Sequence, residues 1–453
     1  MTEADAESDG TDGNGQESTL RRRSLGEIES ARSRQMWTRS AVHAIDGVVV
    51  AGQWDGSVTA FEVDSLEARW SVEHPDHAVG IATLEGSDGG GDSDGDRVDT
   101  VVVAGRGETG TIAAYDLETG ECRWRYETAA DVGEPVRESV FAQPYVVALE
   151  TNGDRLYAAA RRYERDSESR RWESTVLAFD SEGTVRWRYD TDASPIALEL
   201  DGAGERLAVG YNRCMGAHDN GLVVLETCAT TPSSRNGGGE TAEGGGDLAW
   251  TWDPGTEGDR RVGDVSFDDG RLAVASHGDK RGYLLESGGA ERWRVDLATE
   301  TEIDGERLYA YPNHAYANDG RVAFLTGNTY AAESRETAGR HPNEHRIAVF
   351  GEDGRSLWDD SVRGFVHGLA TDGSRIVVPC AQHFRDRDPD AHAVRRFDLE
   401  SGSLEHERLE GIATAAAIED GTVAATEEPV TYHDDGRTRG EYALAVESVA
   451  PRE

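Results

Sequence analysis

Apolar residues in this chain gather in short, β-branched runs that follow a turn of glycine and an acidic residue. The plainest is VVVAG after Asp46-Gly47. Related runs follow Asp269-Gly270, Asp319-Gly320, Asp372-Gly373 and Asp420-Gly421, and looser copies begin near residues 97, 153 and 204. The last four of these glycines, at 270, 320, 373 and 421, are spaced by 50, 53 and 48 residues. A second phrase follows each first one: an apolar run, an acidic glycine turn, then an aromatic strand. It ends at Trp70, Trp124, Trp187, Trp293 and Trp358, and a copy without tryptophan starts at residue 393. Alternation, β-branching and Gly/Asp punctuation mark strands, and no sustained helical period runs between residues 40 and 450. Each unit therefore reads as four strands. Eight such units predict an all-β chain, an eight-bladed β-propeller of four-stranded blades in one domain over residues 33–450. The approximate blade limits are 41–76, 77–130, 131–192, 193–258, 259–302, 303–362, 363–410 and 411–449.

The last unit supplies three strands before residue 450. The missing tryptophan phrase occurs at the other end, in SRQMWTRS around Trp37. This predicts that residues 34–39, with 33–40 as the segment, complete the eighth blade beside 441–448 and cover an open edge. Residues 1–32 read as an acidic, disordered arm, with a short helix over 21–32 as an option.

Charge changes the picture next. The chain has 453 residues, 87 acidic against 46 basic, a net charge of −41, 37% apolar and 29% charged residues. Lys280 is the single lysine; the remaining basic residues are arginines. Such a surface suits a K⁺- or Na⁺-rich solvent, where molar salt screens repulsion to about 3 Å, and we expect a haloarchaeal origin. With no basic patch, nucleic-acid binding is not expected. No run approaches 18 apolar residues, so no membrane span is expected. The acidic N-terminus does not read as a signal peptide, and the four scattered cysteines fit a reducing compartment. The expected location is cytoplasmic.

At YDLETGECRWRYET the residues Ala114, Asp116, Thr119, Gly120, Trp124 and Thr128 fall at fixed spacing. Ala178, Asp180, Gly183, Trp187 and Thr191 repeat the pattern, and Asp398, Ser401 and Gly402 repeat part of it. This resembles the pyrroloquinoline-quinone-like (PQQ-like) repeat of quinoprotein-type propellers, including the BamB-like assembly scaffolds. The resemblance implies that Trp37, Trp70, Trp124, Trp187, Trp293 and Trp358 dock neighbouring blades and that the Asp and Thr close turns. The dehydrogenases of that family add an adjacent cysteine pair, calcium ligands and a secretion signal. No two cysteines are adjacent here, which argues against the quinone cofactor and against dehydrogenase activity.

Candidate chemistry comes from aligning units on the Asp-Gly turn. Five residues before it lie Asp264, His314 and His367, with His43 in a similar place in the first unit. Just after the second strand lie Gln53, Arg106, Asn212, His277, Asn328, His383 and Glu427. Asp264, His277, His314, Asn328, His367, His383 and His43 are thus candidates to line the channel or one mouth. Converging His and Asp side chains bind divalent metals or move protons near neutral pH. The run HPNEH, His341 to His345, would face one way only on a helix, which Pro342 disfavours. The leading reading is a non-catalytic scaffold or ligand-binding protein with a protein or small-molecule partner. The alternative is a metal-binding protein or enzyme using the histidine cluster.

Overall fold

The structure is a computed structural model that describes residues 20–32, 40–85, 98–166, 169–228, 245–256, 258–333, 337–383, 385–432 and 436–448. It is built of antiparallel sheets. Six are separate and four-stranded, and one eight-stranded sheet consists of two four-strand sets joined through the pair Tyr145–Arg106. Numbered in chain order, the units begin at Ala41, His77, Tyr145, Ala193, Val262, Pro312, Ala370 and Ile412. Two small three-stranded sheets decorate this frame, one of them from Thr301–Ile303, Glu306–Tyr309 and Tyr330–Ala331. Among the described residues no helix is long and apolar enough to cross a membrane.

The Asp-Gly signals act as expected of a tight hairpin. Asp46 and Gly47, Asp269 and Gly270, Asp319 and Gly320, and Asp420 and Gly421 all have positive φ. That is the type I′ geometry whose twist matches the flanking strands, and Asp-Gly adopts it at low cost. Most second and third strands are apolar along their length because both faces are covered. Val48–Gly52, for instance, is buried at every position. Fourth strands alternate, as Val185–Thr191 does, because one face meets solvent.

Packing then joins the units. Each of the eight main hydrophobic clusters spans two successive units: Val103 and Val50 share one, Leu177 and Val102 another. One cluster combines Val49 and Phe61 of unit one with Ala424 and Leu444 of unit eight. Tryptophans on fourth strands add a second kind of contact. Trp70 Nε1 donates to Leu117 O at 2.8 Å, Trp124 to Ser181 O at 2.9 Å, Trp187 to Thr227 O at 3.1 Å, Trp293 to Glu352 O at 3.0 Å and Trp358 to Leu399 O at 3.0 Å. Each ring lies on the turn of the following unit. Asp116 closes one such turn, its Oδ1 accepting from Thr119 N and Oγ1, both at 2.8 Å. Trp250 of unit four, absent from the sequence-based set, lays its ring on Gly289 of unit five without the indole hydrogen bond. Trp37 lies outside the described residues.

The eighth unit corrects one expectation. The strand beside Tyr442–Ser448 is Arg21–Gly26, paired antiparallel from Arg21–Val446 to Gly26–Tyr442. Residues 34–39 do not hold that place, and they lie outside the described residues. Residues 21–26 are also strand, not helix or arm, and Ala31–Arg32 pairs in parallel with Val430–Thr431. The reason is that an outer strand covers the sheet on one side only, so it needs few apolar residues. Leu25 alone reaches the cluster shared by units eight and one. Arg22 pairs with the buried Glu427.

Candidate functional site

First strands of successive units lie against one another, so residues on them and at the adjoining ends of second strands collect at the centre of the sheet array. A cavity of about 470 Å³ there is lined by Asp264, His277, His314 and His367, with Asn212 and Arg260 beside them. Units four to seven each contribute.

Several of its polar groups are held by hydrogen bonds. Asn212 Nδ2 donates to Val262 O at 3.1 Å and to His277 Nδ1 at 2.7 Å. That bond leaves the His277 proton on Nε2. Gly263 is required there, since a Cβ would stand 2.4 Å from His277 Nε2. Burial, and then the Arg260 charge, push His277 down to about 3. Burial, with a contribution from His314, pushes His367 down to about 4. Both rings are therefore neutral at neutral pH. His314 is fixed between Val366 O at 3.1 Å from Nε2 and Asp264 Oδ2 at 3.5 Å from Nδ1. Asp264 Oδ2 also accepts from Ala315 N at 3.1 Å.

The remaining sequence candidates do not join this group. His383 Nε2 meets Glu344 Oε1 at 2.9 Å, and its ring lies 4.7 Å from that of His345. His345 Nε2 in turn meets Asn328 Oδ1 at 2.9 Å. Glu344, His345 and His383 line a separate polar cavity of about 460 Å³, and Asn328 reaches it only through His345. The HPNEH run thus contributes as a loop, with Glu344 and His345 doing what the i, i+4 spacing could not reveal. Burial would raise Glu344, but hydrogen bonds from His383 and Thr329 outweigh it and hold the carboxyl at about 2. His43, pushed down to about 4 by burial, lies opposite Val50 in unit one and lines neither cavity. Among the described residues no group of three or more His, Cys, Asp or Glu side chains is placed to hold a metal ion.

Sequence reasoning missed two acids. Glu150 and Glu199 sit on first strands of units three and four, opposite Tyr157 and Ala208, where units five and six carry Ser266 and Tyr316. That substitution was the readable signal. Glu199 Oε1 accepts from Ser266 Oγ at 3.2 Å and Phe267 N at 3.4 Å. Burial, then the Asp264 charge, raise Glu199 to about 8, and burial, then Glu199, raise Glu150 as well. A carboxyl raised in the fold stabilises fully below its ordinary pKa, and that contribution is lost as pH rises through about 8. Glu199→Gln keeps the neutral form at every pH. Denaturant titrations should therefore show the variant level with the parent near pH 4 and more stable at pH 9, by on the order of 2 kcal/mol. An equal difference at both pH values would refute the raised carboxyl.

Comparison with known proteins accords with this fold. Residues 54–228, less than half the chain, match the family described as outer membrane protein assembly factor BamB. No curated protein sequence matches significantly. Among solved structures, BamB from Moraxella catarrhalis superposes with a TM-score of 0.53 at 15% identity, over 93% of this chain and 99% of that one. The quinohemoprotein alcohol dehydrogenase ADHIIG from Pseudomonas putida HK5 gives 0.54 at 12% identity, over 91% and 75%. The computationally designed Ika8 protein gives 0.53 at 13%, over 92% and 98%. At such identities the likeness shows the fold alone, a β-propeller.

Proposed function

We propose that this chain is a non-catalytic, eight-bladed propeller, closed by Arg21–Gly26 beside Tyr442–Ser448, that holds a small polar ligand in its central cavity. The observation that carries this reading is the burial of two cavity histidines, His277 and His367, among polar neighbours. General acid–base catalysis works best with a group whose pKa lies near the working pH, whereas His277 and His367 stand at about 3 and 4. Asn212 fixes the His277 ring by its hydrogen bond to Nδ1, and a ring so held suits recognition. The free cysteines and the acidic surface support a reducing, salt-rich cytoplasm as its setting.

Native mass spectrometry and metal analysis of protein purified from its own cells test the proposal. The parent should carry a small non-metal adduct, and the folded double variant Asp264→Asn/His314→Ala should lose it. A stoichiometric divalent metal, or no adduct on the parent, would overturn the reading.

A further inference from the structure

A third pocket, of about 340 Å³, opens over units two to four and has the opposite electrostatic character from the rest of the molecule. Arg106, Arg161, Arg170 and Arg213 line it, and among the described residues no carboxylate does. Its walls are Tyr145, Tyr163 and Trp172, with Phe141 half exposed at the edge. In a chain of net charge −41, four converging arginines without an acid among them are out of keeping.

The pocket arises where one unit departs from the repeat. In unit three the second and third strands, Arg155–Asp166 and Ser169–Phe179, have 12 and 11 residues. Their counterparts in unit five have 6 and 5. The added length brings Tyr163 opposite Trp172 and supplies Arg170. Tyr145, which opens unit three, registers with both Arg106 and Arg161. Their guanidinium carbons stand 4.7 Å and 5.5 Å from its ring centre, and Arg161 lies 5.0 Å from Trp172.

The hydrogen bonds of Arg106 and Arg161 go to neutral groups. Arg106 donates to Val140 O at 3.0 and 2.6 Å. Arg161 donates to Pro195 O at 3.1 Å and to the Ser194 hydroxyl. Elsewhere arginines find acids readily, as Arg123 does with Asp99 and Asp116, both at 2.8 Å. Burial lowers Arg161 to about 10 and lowers Arg106 in the same direction, yet both stay charged at neutral pH. A buried charge without a counter-charge is costly, so the pocket gains from an anion. Two polar atoms on its wall, Trp172 Nε1 and Gln143 Oε1, are buried without a hydrogen-bond partner. The indole N–H is a donor only, which again suits an anion.

We propose that this pocket binds a small organic anion bearing two or more carboxylate or phosphate charges. Arginine forks match both groups bidentately, and the surrounding negative surface repels long polyanions while a small one fits. The inference does not depend on the central cavity, since it uses other residues.

Thermal unfolding of the full chain at constant ionic strength tests it, with citrate and pyrophosphate as separate probes and a twelve-residue oligothymidylate as the polyanion control. Citrate or pyrophosphate should raise the midpoint of the parent, and of Arg69→Gln, by several degrees. Whichever probe acts identifies the oxyanion. Arg106→Gln and Arg161→Gln should weaken that response at least tenfold in probe concentration. Without probe, Arg161→Met should be no less stable than the parent, because it removes an unpaired charge. The proposal fails if neither probe shifts the parent, if the arginine variants respond like the parent, if Arg161→Met is destabilised without probe, or if the oligonucleotide binds more tightly than the small anions.

Discussion

A chain beginning at Glu27 should be less stable than one beginning at Leu20 by about 3 kcal/mol or more, and it should associate. The first lacks the strand Arg21–Gly26; the second keeps it. Two costs add when that strand goes. Glu427, whose side chain is fully buried, loses the Arg22 guanidinium, and an uncompensated buried charge is expensive. Tyr442–Ser448 also becomes an open edge, with its backbone groups available to another copy. Burial already raises Glu427. Without Arg22 it should gain a proton more readily, so the deficit should be smaller at pH 5 than at pH 8. Denaturant titration with size-exclusion chromatography at both pH values checks this. Equal stability of the two chains, with both monomeric, would show that the N-terminal strand contributes nothing to the eighth unit.

The second large effect is expected at the blade-to-blade docking of Trp70 on Gly120. Gly120 has φ +73°, and a Cβ there would lie 2.8 Å from the indole. Gly120→Ala therefore meets both a left-handed backbone and a clash, together about 2–4 kcal/mol. Trp70→Ala removes a buried indole and its hydrogen bond to Leu117 O, about 3–5 kcal/mol. The two are coupled. With the indole absent the clash vanishes, so in the double variant Gly120→Ala should cost only the backbone strain, about 1–2 kcal/mol. Cys122→Ser, exposed on the same motif, should change stability by less than about 0.5 kcal/mol. Additive costs in the double-mutant cycle would mean that Trp70 and Gly120 are not one contact.

Much of the site was legible because the repeat supplies its own alignment. Counting back from the Asp-Gly turn picked out Asp264, His314 and His367, and counting past the second strand picked out His277; all four line one cavity. The same counting placed Asn328 and His383 beside them, and there it failed. The loop carrying Glu344 and His345 reaches in and makes these two residues its own partners. Arg106 stood at a matching position too. Its meaning depended on the lengthened hairpin of unit three, whose aromatic and arginine residues read in isolation as another charged strand. Glu150 and Glu199 went unmarked because alternation cannot tell a buried acid from one facing bulk water.

The sequence by itself determined the unit of this protein: a type I′ turn needs Asp-Gly, doubly covered strands need unbroken apolar runs, and a docking indole needs a glycine turn to rest on. These are local requirements, met within about 50 residues and repeated. Tertiary structure alone decided which strand lies beside Tyr442–Ser448, which imidazoles share a cavity, and where arginines gather without acids. Those outcomes depend on pairing across more than 400 residues and on burial, which sets the charge state of a side chain after its neighbours are in place.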